Sequence, residues 1–328
     1  MIAYILRRLF QSALVMLTVA LVAFALFRFV GDPIASMVGQ ETSIADREAM
    51  REALGLNDPV PLQFARFIGL ALQGDFGISY RLQQPVMELI LSRLPATLEL
   101  ALISGAMAFV AGVTLGVYTA LNRNSWLSSA VMTVSLIGVS LPTFLIGVLL
   151  IWLFAVELQW LPSFGRGEVV DLGGWWRTGL LTPSGRASLV LPAITLGLYQ
   201  MTLIMRLVRA EMLEVLRADY IKFARARGLS NRAVHFGHAL KNTMVPVITI
   251  TGLQLGSIIA FAIITETVFQ WPGVGALFIN SVQFVDVPVM AAYLMLIALI
   301  FVTINLIVDL LYYVVDPRLR VERGAARH

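Results

Sequence analysis

The feature that most limits what this chain can fold into is a set of long apolar runs with almost no charge inside them. An α-helix rises 1.5 Å per residue, so roughly 20 apolar residues in a row cross the hydrocarbon core of a bilayer. Six stretches meet that requirement, at about residues 9–30, 96–121, 129–156, 188–205, 244–268 and 289–314. Arg7 and Arg8 precede the first, as in a secretory signal. Its apolar run exceeds the ~7–15 residues of a signal core and no small-x-small cleavage site follows, so it is expected to stay as an anchor. The composition agrees: 58% of the residues are hydrophobic and 13% charged, where a soluble domain carries roughly a quarter charged.

The arginines orient the spans. Arg7, Arg8, Arg123 and the tail residues Arg318, Arg320, Arg323 and Arg327 lie on one side. The connection 206–243 lies there too, with Arg206, Arg209, Arg217, Lys222, Arg225, Arg227, Arg232 and Lys241 against Glu211, Glu214 and Asp219. On the other side, acidic residues outnumber basic ones in 31–95, and 268–288 has neither lysine nor arginine. Both termini are therefore expected in the cytoplasm, and the whole chain is expected to form one membrane domain. The net charge of +4 reports these loops, and no nucleic-acid partner is expected. The external segment 31–95 predicts an amphipathic helix near 44–54, a proline-bounded stretch at 58–61 and a turn at Gly74-Asp75-Phe76-Gly77. Trp160, Trp175 and Trp176 in 158–187 suit an interfacial aromatic belt.

In the 206–243 connection, Leu213, Leu216, Tyr220 and Phe223 recur at helical spacing. Arg225 and Arg227 suit a helix C-terminus, Gly228 a stop, and Ser230 or Asn231 the cap of a second helix reaching about Leu240. Pro246 is then expected in the first turn of the fifth span. By pattern alone this pair of helices is either a basic amphipathic surface on anionic headgroups or a docking surface for a protein.

The wording of the motif goes further. Asp219-Tyr220-Ile221, then Ala224-Arg225-Ala226-Arg227-Gly228-Leu229, then His238-Ala239-Leu240 and Asn242 resembles the glycine-centred coupling signature of bacterial binding-protein-dependent ABC importer permeases. The variant is similar to the dipeptide/oligopeptide/nickel branch, and to the first of its two permeases. Ile5-Leu6-Arg7-Arg8-Leu9, Gly31-Asp32-Pro33, Leu54-Gly55-Leu56 with Asp58-Pro59, and Gly74 to Ser79 share in the resemblance. So do Arg93-Leu94-Pro95-Ala96-Thr97-Leu98-Glu99-Leu100, Glu266 with Trp271-Pro272-Gly273, Asp286 with Pro288, and Asp309 through Asp316-Pro317-Arg318. Lys222 and Phe223 stand where the general signature has glutamate and alanine, as the peptide branch does.

The resemblance implies an all-α integral membrane protein of the bacterial inner membrane, with six transmembrane helices in type I ABC importer permease architecture. It implies a second homologous permease, one or two cytoplasmic ATP-binding subunits and an external substrate-binding protein as partners. ATP and Mg would be bound by the ATPase subunits, and no cofactor by this chain. Peptides are the implied substrate, with nickel, glutathione or another small solute as the alternative. Asp219, Tyr220, Phe223, Ala224, Arg225, Ala226, Arg227, Gly228 and Leu229 would form the ATPase-coupling element, with Tyr220 and Phe223 as apolar anchors and both arginines at the rim.

Catalytic motifs are missing. Lys222 and Lys241 follow Ile221 and Leu240 rather than the glycine of a phosphate-binding loop, and no H-E-x-x-H or G-x-S-x-G occurs. The absence of cysteine excludes thiolate chemistry, and His235, His238 and His328 are poorly spaced for a metal. An ion-coupled carrier is the rival class, but Arg28, Glu99, Glu266 and Asp309 all fall near span ends rather than at the midplane. Ser140, Gln254, Ser257 and Glu266 are the pathway or gate candidates. Gly138, Pro142, Thr143, Gly252 and Gly256 suit either lining or helix packing.

Overall fold

The structure is a computed structural model that describes residues 2–30, 43–53 and 56–315. The expected motifs at 31–33 and 54–55, and the arginine-rich tail from Asp316 to His328, lie outside the described residues. In chain order the helices are α1 (Ile2–Phe29), α2 (Ile44–Ala53), α3 (Val60–Leu72), α4 (Val86–Leu121), α5 (Trp126–Ser140) and α6 (Thr143–Leu150). A π-helical stretch, Ile151–Glu157, continues α6. Then come α7 (Pro183–Val215), α8 (Asp219–Ala226), a second π-helical stretch Ala233–Ala239, α9 (Leu240–Val268), α10 (Val274–Gln283) and α11 (Val287–Val315). One two-residue hairpin pair, β1 (Val170–Asp171) and β2 (Arg177–Thr178), sits in the connection before α7.

Among the described residues, five helices are long and apolar enough to cross a membrane, and six if the bent pair α5–α6 is one broken span. The bend of 112° falls where a single helix over 129–156 is expected. Its cause is Pro142, which lacks an N–H, adopts an extended ψ of 137° and biases Leu141 away from the helical region. Three other spans run further than expected. α4 begins ten residues before residue 96 and carries Pro95 inside it. α7 begins at a capped end, where Thr182 Oγ1 accepts the Gly185 N–H at 3.0 Å, and runs through Pro192 into the 206–243 connection. The π-helical stretch 233–239 runs into α9 without a break, so Pro246 lies inside a helix instead of in its first turn. Neighbouring helices and local π geometry re-satisfy the groups such prolines free, so apolar length wins over the proline signal.

The chain divides into two compact units. The first comprises residues 1–97, 171–178 and 272–302. Here the Gly74-to-Ser79 motif is tied to the Asp-Val-Pro motif: Asp286, buried, accepts hydrogen bonds from Ser79 Oγ and, at 3.1 Å, from the Tyr80 N–H. The Arg81 guanidinium lies 3.4 Å from the Phe284 ring centroid, and Thr97 Oγ1 accepts the Val274 N–H at 2.9 Å at the start of α10.

The second unit comprises 98–170, 179–271 and 303–328, with α7 as its central helix. Small residues bring the neighbours close. A Cβ on Gly116 would lie 2.6 Å from Val208 Cβ, one on Gly112 2.9 Å from Ile204 Cβ, and one on Gly138 3.0 Å from Thr202 Oγ1. A Cβ on Gly252 would meet Val308 at 2.6 Å. Of the two readings open for Gly138 and Gly252, the contacts favour helix packing.

Candidate functional site

The 206–243 connection is built in the second unit from the end of α7, the short helix α8 and the π-helical stretch 233–239. At the end of α7 the backbone bonds tighten: Arg217 N–H reaches the Glu214 carbonyl at 3.0 Å and Ala218 N–H the Val215 carbonyl at 3.0 Å. Ala218 then turns extended, with ψ 150°, and α8 starts at Asp219. This turn separates Leu213 and Leu216 from Tyr220 and Phe223, which therefore do not share one helix as their spacing predicts. Leu213 and Leu216 pack beneath the loop, and the aromatic pair faces outward.

What holds α8 in place is a core cluster that joins the loop to the span ends. Ile221 and Ala224 from α8, with Val234 and Ala239 from the π-helical stretch, are buried against Ala108, Val117 and Ala120 of α4. Ile204, Val208 and Met212 of α7 and Val247 of α9 complete it. Burying a side chain such as Ile221 contributes about 1.5–3 kcal/mol, so the loop is locked to three long helices by apolar contact. Among the coupling residues, Ala224 is consequently used up inside the chain, whereas the others face out. Tyr220 is 46% and Phe223 64% exposed, and Leu229 and Phe236 are exposed beside them. Phe236 and the inward Ile221 are absent from the sequence-based set. No local signal marks them, since Tyr220 and Phe223 have the same i, i+3 spacing as Ile221 and Ala224.

Charged side chains share this exposed surface. Asp219 pairs with Lys222 at 2.8 Å, both well exposed, and the Arg227 guanidinium lies 5.7 Å from the Phe223 ring centroid.

The corner itself rests on Gly228. Its N–H reaches the Arg225 carbonyl at 2.9 Å and the Leu229 N–H reaches the Ala224 carbonyl at 3.3 Å, which is the Schellman closure of α8. Gly228 has φ +79°, where a side chain is strained, although a Cβ there would meet no atom within 4 Å. The next helix opens two residues later, where Ser230 Oγ accepts the Ala233 N–H at 3.3 Å. The result is two short helices meeting at a sharp, well-bonded corner.

The pathway candidates lie at separate levels of the same unit. Ser140 is exposed at the break after α5, and Gln254 and Ser257 are half-buried on α9. Glu266, fully buried, lies roughly 14 Å further along that helix. Near that end, Glu99 and Arg166 form a buried ion pair at 2.6 Å, and the same guanidinium lies 6.0 Å from the Trp271 ring centroid. Arg166 is not identifiable from the sequence pattern, since nothing in 158–187 marks it as the partner of Glu99 on α4.

The family model described as the binding-protein-dependent transport system inner membrane component matches residues 112–321, which include the whole corner. The model for the N-terminal part of such membrane components matches residues 1–101. The chain belongs to this family. It is therefore a multi-pass permease subunit of an ABC importer in the cytoplasmic membrane, not a catalytic enzyme, and works with ATPase and substrate-binding partners.

Among its relatives is the dipeptide transport system permease protein DppB of Alkalihalophilus pseudofirmus, 37% identical over 98% of this chain and 100% of that protein. The di/tripeptide permease DppB of Pseudomonas aeruginosa is 39% identical over the same shares. The glutathione permease GsiC of Escherichia coli is 37% identical over 98% of this chain and 99% of its own length. Among solved structures, an inward-facing MetNI methionine ABC transporter matches with a TM-score of 0.56 at 20% identity, over 70% of this chain and 97% of that one. That likeness establishes the type I permease fold.

Proposed function

We propose that this permease forms half of a translocation pathway for di- and oligopeptides and is driven through the corner at 219–229. The observation that carries the coupling role is the two-sided character of α8. Ile221 and Ala224 are locked into a core shared with α4, α7 and α9, while Tyr220, Phe223 and Leu229 stand exposed. A partner that grips the exposed side moves three long helices as a body, because the packed core does not deform. Tyr220 and Phe223 anchor that partner, and Arg225 and Arg227 ring the contact, as aromatic and arginine residues do in interfaces.

The partner is a cytoplasmic ATPase, present as one or two kinds of chain, which binds ATP and Mg. In this reading both termini and the 206–243 connection face the cytoplasm, in keeping with their arginines. A second, homologous permease completes the pathway, and an external binding protein delivers the substrate. Ser140, Gln254 and Ser257 contact the passage or the second permease. Glu266, being buried, acts on the outer gate through its neighbours. Peptides lead as substrate because the full-length relatives named for them reach 37–39% identity. The glutathione permease, itself named for a peptide-sized thiol, is nearly as similar and supports glutathione as the second reading.

The test is Gly228→Asp in the assembled transporter. The variant inserts normally, because no atom lies within 4 Å of the added Cβ, yet peptide uptake is lost and ATP hydrolysis no longer responds to the binding protein. Wild-type uptake by this variant would refute the coupling role.

A further inference from the structure

The segment between the first two spans carries two helices of opposite chemistry. α2 holds Asp46, Arg47, Glu48, Arg51 and Glu52 within 10 residues, whereas α3 holds a single charge, Arg66, within 13. One side of α3 is covered inside its own unit. Gln63 is buried, Phe64 and Phe67 lie 5.4 and 6.0 Å from Phe24 between ring centroids, and Phe67 lies 5.6 Å from Phe27.

Helical periodicity puts Leu62, Ala65, Gly69 and Leu72 on the opposite side. Leu62 is 51% and Leu72 84% exposed. A helix apolar on both sides belongs in an apolar medium on both sides. At roughly 20 Å it is too short to cross the membrane. Its ends are also closed. Prolines flank the start at Pro59 and Pro61, and a Schellman closure at Gly74, with Asp75 N–H on the Leu70 carbonyl at 3.0 Å, stops it.

Two features give its depth. Phe24 and Phe27 belong to the last turns of α1, whose most apolar window is only 17% buried within the chain, so α3 docks on a wall that already borders lipid. A polar belt lies on the same contact: Arg28 Nη1 donates to Gln63 Oε1 at 3.4 Å. Gln63 Nε2 donates to the Leu56 and Asp58 carbonyls at 2.8 and 2.7 Å, and Arg66 pairs with Asp58 at 2.7 Å. Aromatic rings beside arginines at a span end are the chemistry of the headgroup boundary.

We infer that α3 is an interfacial helix whose outer side, with Leu62 and Leu72, is seated in the lipid where α1 leaves the bilayer. The occupant of that face is the lipid surface, and the helix fixes the depth of the α1 end. The inference rests on α1 being a span, but not on which side is cytoplasmic.

The lack of cysteine makes the test clean. Leu62→Cys, Leu72→Cys, Ala49→Cys on α2 and Leu14→Cys in mid-α1 are each spin-labelled in the full transporter in phosphatidylcholine vesicles. Collision rates with oxygen and with a water-soluble nickel chelate are then measured. The oxygen-to-nickel ratio at 62 and 72 is expected to exceed that at 49 several-fold. A ratio equal to that at 49 would place α3 in water, and exclusion of both reagents would place it against a protein; either overturns the inference. A water-like ratio at 14 would instead remove α1 as a span, which separates the two failures.

Discussion

Glu99 and Arg166 are 67 positions apart, yet their side chains meet at 2.6 Å in a place that water barely reaches. The pair fastens the connection between α6 and α7 to α4 in the second unit, and Glu99 also receives the Gly179 N–H at 3.5 Å. Removing one member of a buried pair of this kind costs about 3–5 kcal/mol. Glu99→Gln is therefore expected to lower the thermal midpoint of the solubilised protein clearly. The double change Glu99→Gln with Arg166→Met is expected to recover most of the loss, since both charges of the pair are then removed together. A thermal-shift series on the three variants measures this, and a double change worse than the single one would contradict it. Half of this residue-scale feature is legible from sequence. A glutamate near a span end reads from sequence as an interfacial or a paired charge, and which it is, and with what partner, depends on how a 30-residue connection folds back.

At the scale of elements, α8 has only 8 residues and could not persist as a free helix in water. It exists because Ile221 and Ala224 close the cluster formed by α4, α7 and α9. Ile221→Ala is expected to cost about 3 kcal/mol through the lost burial and the cavity left behind. The cost should appear locally, as faster amide hydrogen exchange in α8 and the stretch after it, with the amides of mid-α7 unchanged. Under the proposed coupling role uptake should fall with it, because a loosened corner would absorb the displacement. If exchange rose uniformly along α7 as well, the loop would not be a separate element fastened by this cluster. The helical nature of the loop and its glycine corner are readable from spacing and capping residues. Which residues face in is not, because Tyr220, Ile221, Phe223 and Ala224 all suit an amphipathic helix, and only the opposing spans choose between the two sides.

For the whole molecule, the energy source is the point that separates its class from its rival. An ABC importer permease takes its work from ATP hydrolysed on its partners, so uptake into cells should persist when a protonophore collapses the proton gradient and ATP is held constant. It should stop when ATP is depleted with the gradient maintained. The reverse pattern, measured with a labelled dipeptide, would point to an ion-coupled carrier.

Length and polarity alone settle much about this protein. Runs of about 20 apolar residues with charges only at their ends leave a membrane as the solvent, because unpaired backbone groups force helices there. The absence of a phosphate-binding loop, and the glycine-centred motif around Gly228, are equally local facts. Tertiary structure alone decided the helical continuation through Pro95 and Pro246, the partner of Glu99 and the inward face of α8. Each of these depends on a neighbour distant in sequence that supplies packing or a hydrogen bond at that point, and no local pattern specifies which neighbour arrives.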